Sequence, residues 1–246
     1  PVKAAIFNEE LAYMRAPGRD IFGVRMLGPT LMIHGTEEQK ERFLPQMATG
    51  ERRGGICITE PDAGSDLAAI STRGVRDGEW FVLDGQKTWC SRGAWADWLF
   101  CIVRTDPTSE RHTGLSYLLV PMDQQGVEVR PIVQVTGGSE FNEVFFEDVR
   151  VPKGNLVGEE NRGWYVVAAN LDFERSGIER VISGQLTFEE LLDLLRVKGQ
   201  ERLPKNLSPA MRHRLVDMAV EFQVGRLLAY RVAWLQSQGQ VPNYEA

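Results

Sequence analysis

Three short segments combine residue types that could bind a planar ligand and move a proton. In residues 57–66, Gly64 and Ser65 are small turn-forming residues whose backbone N–H groups could approach a bound anion such as a phosphate. In residues 85–93, Trp89 could stack on a flat ring and the Ser91 hydroxyl could hydrogen-bond to a ring heteroatom. In residues 171–175, Glu174 lies among apolar residues, and burial would shift such a carboxylate toward the range of a general base.

Each segment taken alone also has an ordinary structural interpretation. A Gly-Ser-Asp turn between strands is often a plain loop, and a strand tryptophan such as Trp89 often packs in a core. Glu174 could be a surface salt-bridge residue, and Arg175 beside it would oppose a raised pKa if the two side chains met. Helix neighbours point about 100° apart, so they need not meet. The single segments therefore leave both interpretations open.

The elements around these segments follow the order helices, strands, helices. Residues 1–50 have helical spacing, with Thr36 as an expected N-cap and Gly50 as the expected end of a helix. From about residue 54 to 157 the period changes to two, with aromatic and branched residues between turn signals. From Gly163 the helical period returns, and a long amphipathic helix continues to about Gln238. The pattern predicts an α+β fold: a helical N-terminal segment (1–52), an antiparallel β-barrel or sandwich (53–158) and a helical C-terminal bundle (159–246).

Composition narrows the classes of partner and compartment. The 246 residues carry a net charge of -6 and 43% hydrophobic residues, which permits a sizeable core and gives no reason to expect nucleic acid. No apolar run approaches a membrane span, and no signal peptide is visible. The three cysteines form no CxxC motif and are interpreted as reduced core or near-site thiols of a cytoplasmic protein, and no metal site is expected. Both ends look cut, because the chain starts without Met and stops at Ala246 without a tail-like composition.

Five motifs follow one another in a defined order between residues 33 and 180. The central motif runs from Thr59-Glu60-Pro61 through Gly64-Ser65-Asp66. The other four are His34-Gly35-Thr36-Glu37-Glu38-Gln39-Lys40 with Leu44-Pro45, Leu83-Asp84-Gly85-Gln86-Lys87-Thr88-Trp89, Phe145-Phe146-Glu147-Asp148-Val149-Arg150-Val151-Pro152, and Gly158-Glu159-Glu160 with Gly163-Trp164. In their order and spacing these motifs resemble the acyl-CoA dehydrogenase family, for which the central motif is highly specific, and a chance match to all five in order is very improbable.

The resemblance implies a fold, a cofactor and positions for that cofactor. In the family, FAD lies between the β-domain and the second helical domain, and the acyl-CoA thioester lies against the flavin ring. By position, Ile58 and Thr59 would contact the edge of the ring, and Gly64 and Ser65 would line the FAD pyrophosphate. Three further residues would flank the isoalloxazine: Trp89, Cys90 and Ser91. The Ser91 hydroxyl would lie near N5, at a position where most members have Thr.

The reaction that the resemblance implies is α,β-dehydrogenation of an acyl-CoA thioester. A carboxylate base takes the α-proton while the β-hydrogen leaves as hydride to flavin N5, and an electron-transfer flavoprotein would be the acceptor. Most members carry the base on a late loop beyond the equivalent of Ala246, whereas a minority carry it at the position of Glu174. The segment 171–175 is similar to that minority pattern, so Glu174 is the predicted base and Arg175 an electrostatic active-site residue.

One departure from the family pattern bears on assembly. Most members have an Arg-x-x-Phe-Gly stretch whose Arg reaches the FAD of a neighbouring subunit, but residues 197–204 contain no such stretch. In this the chain is similar to actinobacterial dehydrogenases built from two unlike subunits, some acting on sterol side-chain CoA esters, so a homo- or hetero-oligomer is expected. Two alternatives stay open: a non-catalytic partner subunit of a heteromeric enzyme, and an acyl-CoA oxidase on the same fold.

Overall fold

The computed structural model describes residues 1–17, 20–175, 177–196, 207–240, 242 and 245, and at residues 21, 174 and 175 it describes the backbone alone. The chain divides into two compact units, Asp20–Phe173 on the one hand and Pro1–Arg19 with Glu174–Ala246 on the other. In the part of the chain described, no helix is both long and apolar enough to cross a bilayer.

The first unit contains helical segments and every strand found among the described residues. Its chain order is a π-helix (Ile21–Leu27), α2 (Gly28–His34), α3 (Glu37–Ala48), β1 (Gly54–Cys57), β2 (Arg73–Asp77), β3 (Trp80–Ser91), β4 (Trp98–Arg104), β5 (Leu115–Pro121), β6 (Val127–Ile132), β7 (Phe141–Pro152), β8 (Leu156–Val157) and most of α4 (Gly163–Arg175). The second unit contains α1 (Val2–Tyr13), α5 (Ile178–Leu195) and α6 (Pro209–Ser237). The predicted order of helices, strands and helices is confirmed.

The described strands form one mixed sheet in the order β6-β7-β3-β2-β4-β5-β8, with β1 also paired to β4, and this path is open. β1 runs parallel to β4 over four residue pairs and β2 meets the end of β4 in parallel at Arg73 and Arg104, whereas the other pairings are antiparallel. The expectation of a wholly antiparallel unit is corrected at these two pairings. Residue periodicity indicates that a segment is a strand but not which partner it takes.

The central strands β4 and β5 are buried on both faces. In β4, Phe100 and Ile102 point into a core that also contains residues of α2, α3 and α4. The alternate residues Leu99, Cys101 and Val103 point into a second core, shared with β3 and β7. Because successive strand side chains point in opposite directions, an unbroken apolar run is what a strand between two cores requires.

Helix α3 begins and ends as its sequence predicts. The Thr36 side chain accepts from Gln39 N at 3.3 Å and the Gln39 side chain accepts from Thr36 N at 3.1 Å, which is a capping box. Gln39 Nε2 also donates to the carbonyls of Gly154 and Leu156, at 2.8 and 2.7 Å. Gly50, just past the helix, has φ +72° as expected of a residue that ends a helix.

The second unit is helical, as predicted for the C-terminal segment. Ala12 of α1 packs with Ile178 and Ile182 of α5 in its core. The Glu9 carboxylate, buried in α1, accepts hydrogen bonds from Arg226 and Tyr230 of α6. Helix α1 thus packs with the C-terminal helices, whereas α2 and α3 pack with the sheet. The predicted borders of the three sequence segments stay predictions.

Candidate functional site

Two segments of the first unit are joined by one backbone hydrogen bond. They are the loop that follows β1, residues 58–66, and the bulge in β3, residues 87–90. Thr88 N donates to Thr59 O at 2.9 Å. These are the first two segments that the sequence identified for chemistry, and the bond holds them together although about thirty residues separate them.

The bulge orients Trp89 outward. Between Lys87 and Cys90 strand β3 advances three residues while its partner β7 advances two, from Val144 to Asn142, so one residue is extra. Trp89 takes up this excess with φ +58°, a conformation uncommon for a bulky side chain. Trp89 is 56% exposed, and its ring meets the Phe141 ring edge to face with 6.0 Å between the centroids. A half-exposed indole in this position offers a surface for a planar ring.

A buried ion pair lies beneath both segments. Lys87 Nζ and Glu60 Oε1 are 2.7 Å apart, and the two side chains are 0% and 4% exposed. The ammonium also donates to Ile102 O at 2.7 Å and to Ile58 O at 3.4 Å, which uses its three protons. Burial favours the neutral acid, but the charge and hydrogen bond of Lys87, with donors from residues 71 and 72, lower the pKa of Glu60 to about 2. The Glu60 carboxyl is therefore ionised at neutral pH, and its contact with Lys87 fixes the loop to the strand.

The rest of the loop is a tight turn with an exposed tip. Glu60 and Ala63 exchange two backbone hydrogen bonds of 3.1 Å, and the Ala63 side chain is buried. Gly64 and Ser65 follow on the surface. A Cβ built on Gly64 would meet nothing within 4 Å, and φ there is not positive, so neither packing nor backbone conformation requires glycine at that position. The backbone at Gly64 is therefore open to close approach by a ligand.

Three free thiols lie side by side behind these segments. Cys57, Cys90 and Cys101 are all buried, as predicted for core or near-site thiols. Cys57 faces Cys101 across the parallel pair β1–β4, and its Sγ is 2.8 Å from Cys90 Sγ. Burial, with hydrogen bonds to the other two thiols, raises the pKa of Cys57. Burial has the same tendency at Cys101, but the hydrogen bond with Cys57 and the Lys87 ammonium outweigh it and lower the pKa of Cys101.

Three family models match consecutive parts of the chain. The N-terminal domain of acyl-CoA dehydrogenases matches residues 1–51, the middle domain matches residues 55–149 and the C-terminal domain matches residues 161–246. The chain belongs to the acyl-CoA dehydrogenase family. The motif that resembled the family most specifically, from Thr59 to Asp66, falls within the middle-domain match.

Named relatives agree with this assignment and are longer than this chain. Acyl-CoA dehydrogenase IpdE1 of Mycolicibacterium smegmatis is 41% identical over an alignment of 247 residues that covers 95% of this chain and 62% of that protein. The solved structure of the Tcur3481-Tcur3483 steroid ACAD matches with a TM-score of 0.82 at 32% identity, covering 96% of this chain and 60% of that chain. The glutaryl-coenzyme A dehydrogenase glutaryl-CoA complex matches with a TM-score of 0.80 at 29% identity, covering 96% and 61%. The chain thus spans about three fifths of the length of these acyl-CoA dehydrogenases.

The structure brings most of the predicted cofactor residues into one region of this chain. Ile58 and Thr59 begin the loop, and the next three predicted contacts end β3 beside it: Trp89, Cys90 and Ser91. Gly64 and Ser65 lie at the exposed tip of the same loop. Glu174 and Arg175 are the last two residues of α4, and their side chains lie outside the described part of the chain. The segment 197–204, where the family's Arg-x-x-Phe-Gly stretch is missing, also lies outside it.

Sequence reasoning missed the ion pair between Glu60 and Lys87. Both residues belong to motifs that resemble the family, but no spacing rule links an acid in a loop to a lysine in a strand 27 residues later. The available signal was the lysine itself. Lys87 interrupts the inward positions of a strand, where a charge is expected only with a buried partner.

Proposed function

We propose that this chain carries the flavin-binding part and the catalytic base of an enzyme that dehydrogenates an acyl-CoA thioester between its α and β carbons. Family membership supports the reaction class. The single observation that supports the location of the flavin site is the hydrogen bond from Thr88 N to Thr59 O. This bond joins the bulge, which carries the exposed Trp89, to the loop, which carries the exposed turn at Gly64.

The residues of this region fit FAD. Its isoalloxazine is a planar ring, for which the outward face of Trp89, the edge at Ile58 and Thr59, and the strand end at Cys90 and Ser91 would form the wall. Its pyrophosphate needs backbone N–H groups that no Cβ shields, and the open space above Gly64, next to exposed Ser65, meets that need. FAD supplies, when bound, the hydride acceptance that no side chain can provide.

In this proposal the chain's own residues bind and orient the flavin and take up the α-proton. Glu174 would receive the α-proton of the thioester, because a carboxylate is a competent base once the acidity of that carbon is raised by hydrogen bonds to the carbonyl. Arg175, as a neighbouring cation, would contribute positive charge to the active site. The buried pair of Glu60 and Lys87 keeps the loop and bulge in register and so orients the flavin wall. The alternative base would lie beyond Ala246.

Replacing Glu174 tests the proposed base. The change Glu174→Gln keeps the size and polarity of the side chain but removes the proton acceptor. We expect the variant to hold FAD as the unchanged protein does and to lose the bleaching of the flavin absorbance that acyl-CoA causes under anaerobic conditions. Asp172→Asn, on the same helix, is the matched control and should bleach normally. Bleaching of the Glu174→Gln variant at the normal rate would move the base elsewhere.

A second substitution tests the cofactor site without relying on turnover. Gly64→Val places a branched side chain in the open space above the turn, which should weaken FAD binding while leaving the thermal unfolding of the apoprotein unchanged. Gly154→Val is the control, because a Cβ there also meets nothing within 4 Å and its φ is not positive. Equal FAD affinity in the two variants would refute the proposed pyrophosphate contact.

The proposed acceptor is an electron-transfer flavoprotein, and the proposed assembly is a homo- or hetero-oligomer. The match to the Tcur3481-Tcur3483 steroid ACAD favours a pairing of unlike subunits as the second candidate arrangement, in which this chain could also be a non-catalytic partner. A visible flavin spectrum of the chain purified alone would support the catalytic role, and a colourless protein would support the partner role.

Release of hydrogen peroxide in proportion to turnover would instead identify an oxidase. A screen of acyl-CoA esters from short chains to steroid side chains would identify the substrate.

A further inference from the structure

The sulfur atoms of two of the buried thiols lie unusually close together. Cys57 Sγ and Cys90 Sγ are 2.8 Å apart, whereas the sulfurs of a disulfide are about 2.05 Å apart, so roughly 0.8 Å of approach would complete a bond. Both cysteines are free and their side chains are at most 1% exposed. The closeness comes from the strand layout, since β1 ends at Cys57 and the bulge of β3 returns to the ladder at Cys90.

The three thiols are not arranged as a metal site. In the described residues no group of three or more His, Cys, Asp or Glu side chains could hold a metal ion. Pairs of thiols at this separation have one other common chemistry, which is oxidation to a disulfide. Cys101 is the rival partner for Cys57, because the two residues face each other across β1 and β4.

We propose that Cys57 and Cys90 are a redox pair that hydrogen peroxide or an organic hydroperoxide converts to a disulfide. In the first step the sulfur of one cysteine attacks the peroxide O–O bond, which gives a sulfenic acid and releases water or an alcohol. In the second step the other sulfur attacks the sulfenic sulfur, the S–S bond forms and water leaves. The two thiol protons end in the released products, and the two electrons from sulfur reduce the peroxide.

A disulfide between Cys57 and Cys90 would change the flavin wall because of where the two residues lie, and this consequence rests on the proposed function. Cys57 immediately precedes Ile58 and Thr59, and Cys90 immediately follows Trp89. The disulfide would therefore fasten covalently the two segments that a backbone hydrogen bond now joins. Because both thiols are buried, and burial raises the pKa of Cys57, the pair responds slowly and to sustained peroxide rather than to brief exposure.

Peptide mapping tests the pair, because trypsin separates the three cysteines. Cleavage after Lys and Arg leaves Cys57 in residues 54–73, Cys90 in residues 88–92 and Cys101 in residues 93–104. The folded holoprotein is incubated with hydrogen peroxide, its remaining thiols are alkylated after unfolding, and the digest is analysed by mass spectrometry. We expect a linked species of 54–73 with 88–92, lighter by two hydrogens than the two reduced peptides together, and sensitive to a reductant.

Two comparisons make the result specific to the fold. The same oxidation in concentrated urea should instead favour the link between 88–92 and 93–104, since Cys90 and Cys101 are nearest along the unfolded chain. In folded protein, Cys101→Ala should keep the link of Cys57 to Cys90, and Cys90→Ala should abolish it.

A folded protein that gives no linked peptide, or that links 54–73 chiefly to 93–104, would overturn the proposal. The flavin absorbance of the same sample is recorded separately. A linked peptide from a protein that carries no FAD would support the thiol pair while contradicting the proposal that this chain binds FAD on its own.

Discussion

Removing the ammonium of Lys87 should destabilise the fold far more than removing an exposed cation. In Lys87→Met the carboxylate of Glu60 stays buried without its counter-charge, and breaking a buried pair on one side costs about 3–5 kcal/mol. The lowered pKa gives a consistent magnitude. A carboxyl with a pKa of about 2 in the folded chain, against 4.5 in an unfolded one, contributes roughly 3 kcal/mol at neutral pH.

The same pair predicts how the loss changes with pH. Because the pKa of Glu60 is lower in the folded than in the unfolded chain, its contribution is complete above about pH 4.5 and is lost as the pH falls toward 2. In Lys87→Met the attraction that lowers this pKa is gone, so the buried carboxyl takes up a proton more readily on acidification. The difference in unfolding free energy between the two proteins should therefore shrink between about pH 7 and about pH 4.5.

Urea unfolding followed by tryptophan fluorescence at both pH values measures this difference. Arg130→Met is the matched control, since the ion pair of Arg130 with Glu128 is exposed and its loss should leave stability near that of the unchanged protein. The double variant Glu60→Gln/Lys87→Met, which removes both charges, should recover part of the loss. A Lys87→Met variant that is no less stable than Arg130→Met, or whose loss of stability is the same at both pH values, would refute this role of the buried pair.

Two further substitutions test packing at the sheet. Gly163→Ala should lower stability by about 1–3 kcal/mol, because the new Cβ would lie 2.5 Å from the Ser116 carbonyl carbon and 2.6 Å from Tyr117 N, and backbone atoms cannot move aside as a side chain can. Thermal unfolding measures this loss, with Gly184→Ala as the control because its new Cβ would meet only the side-chain ring of Phe222. Equal losses in the two variants would contradict the prediction. Tyr117→Phe should leave the apoprotein as stable as before or slightly more stable, since the fully buried hydroxyl has no hydrogen-bond partner among the described residues; a loss above about 1 kcal/mol in urea unfolding would show that it has one.

Local rules predicted the elements of this chain well. The N-cap at Thr36 and the glycine past the end of α3 involve residues a few positions apart, and both predictions are confirmed. The change from a helical period to a period of two also located the strands, because each core selects apolar residues along a single element. Motif order, through family resemblance, brought the first two site segments together before any geometry was known.

Features that depend on partners distant in sequence were not predictable. Nothing in β1 indicates that its partner is β4 or that the pair is parallel. The outward turn of Trp89 follows from one extra residue relative to β7, which is visible only once the two strands are paired. The role of Lys87 likewise required the loop of Glu60 to lie beneath it.

Burial of β4 between two cores has a consequence for how this protein can vary. A deletion of one residue within β4 would exchange its two sets of side chains, sending Phe100 and Ile102 among the thiols and Cys101 among the helices. By contrast, most residues of β2 are exposed, and the turn between β2 and β3 at Gly78 opens onto empty space. Natural variants should therefore differ in length at the β2–β3 hairpin and keep the length of β4 unchanged.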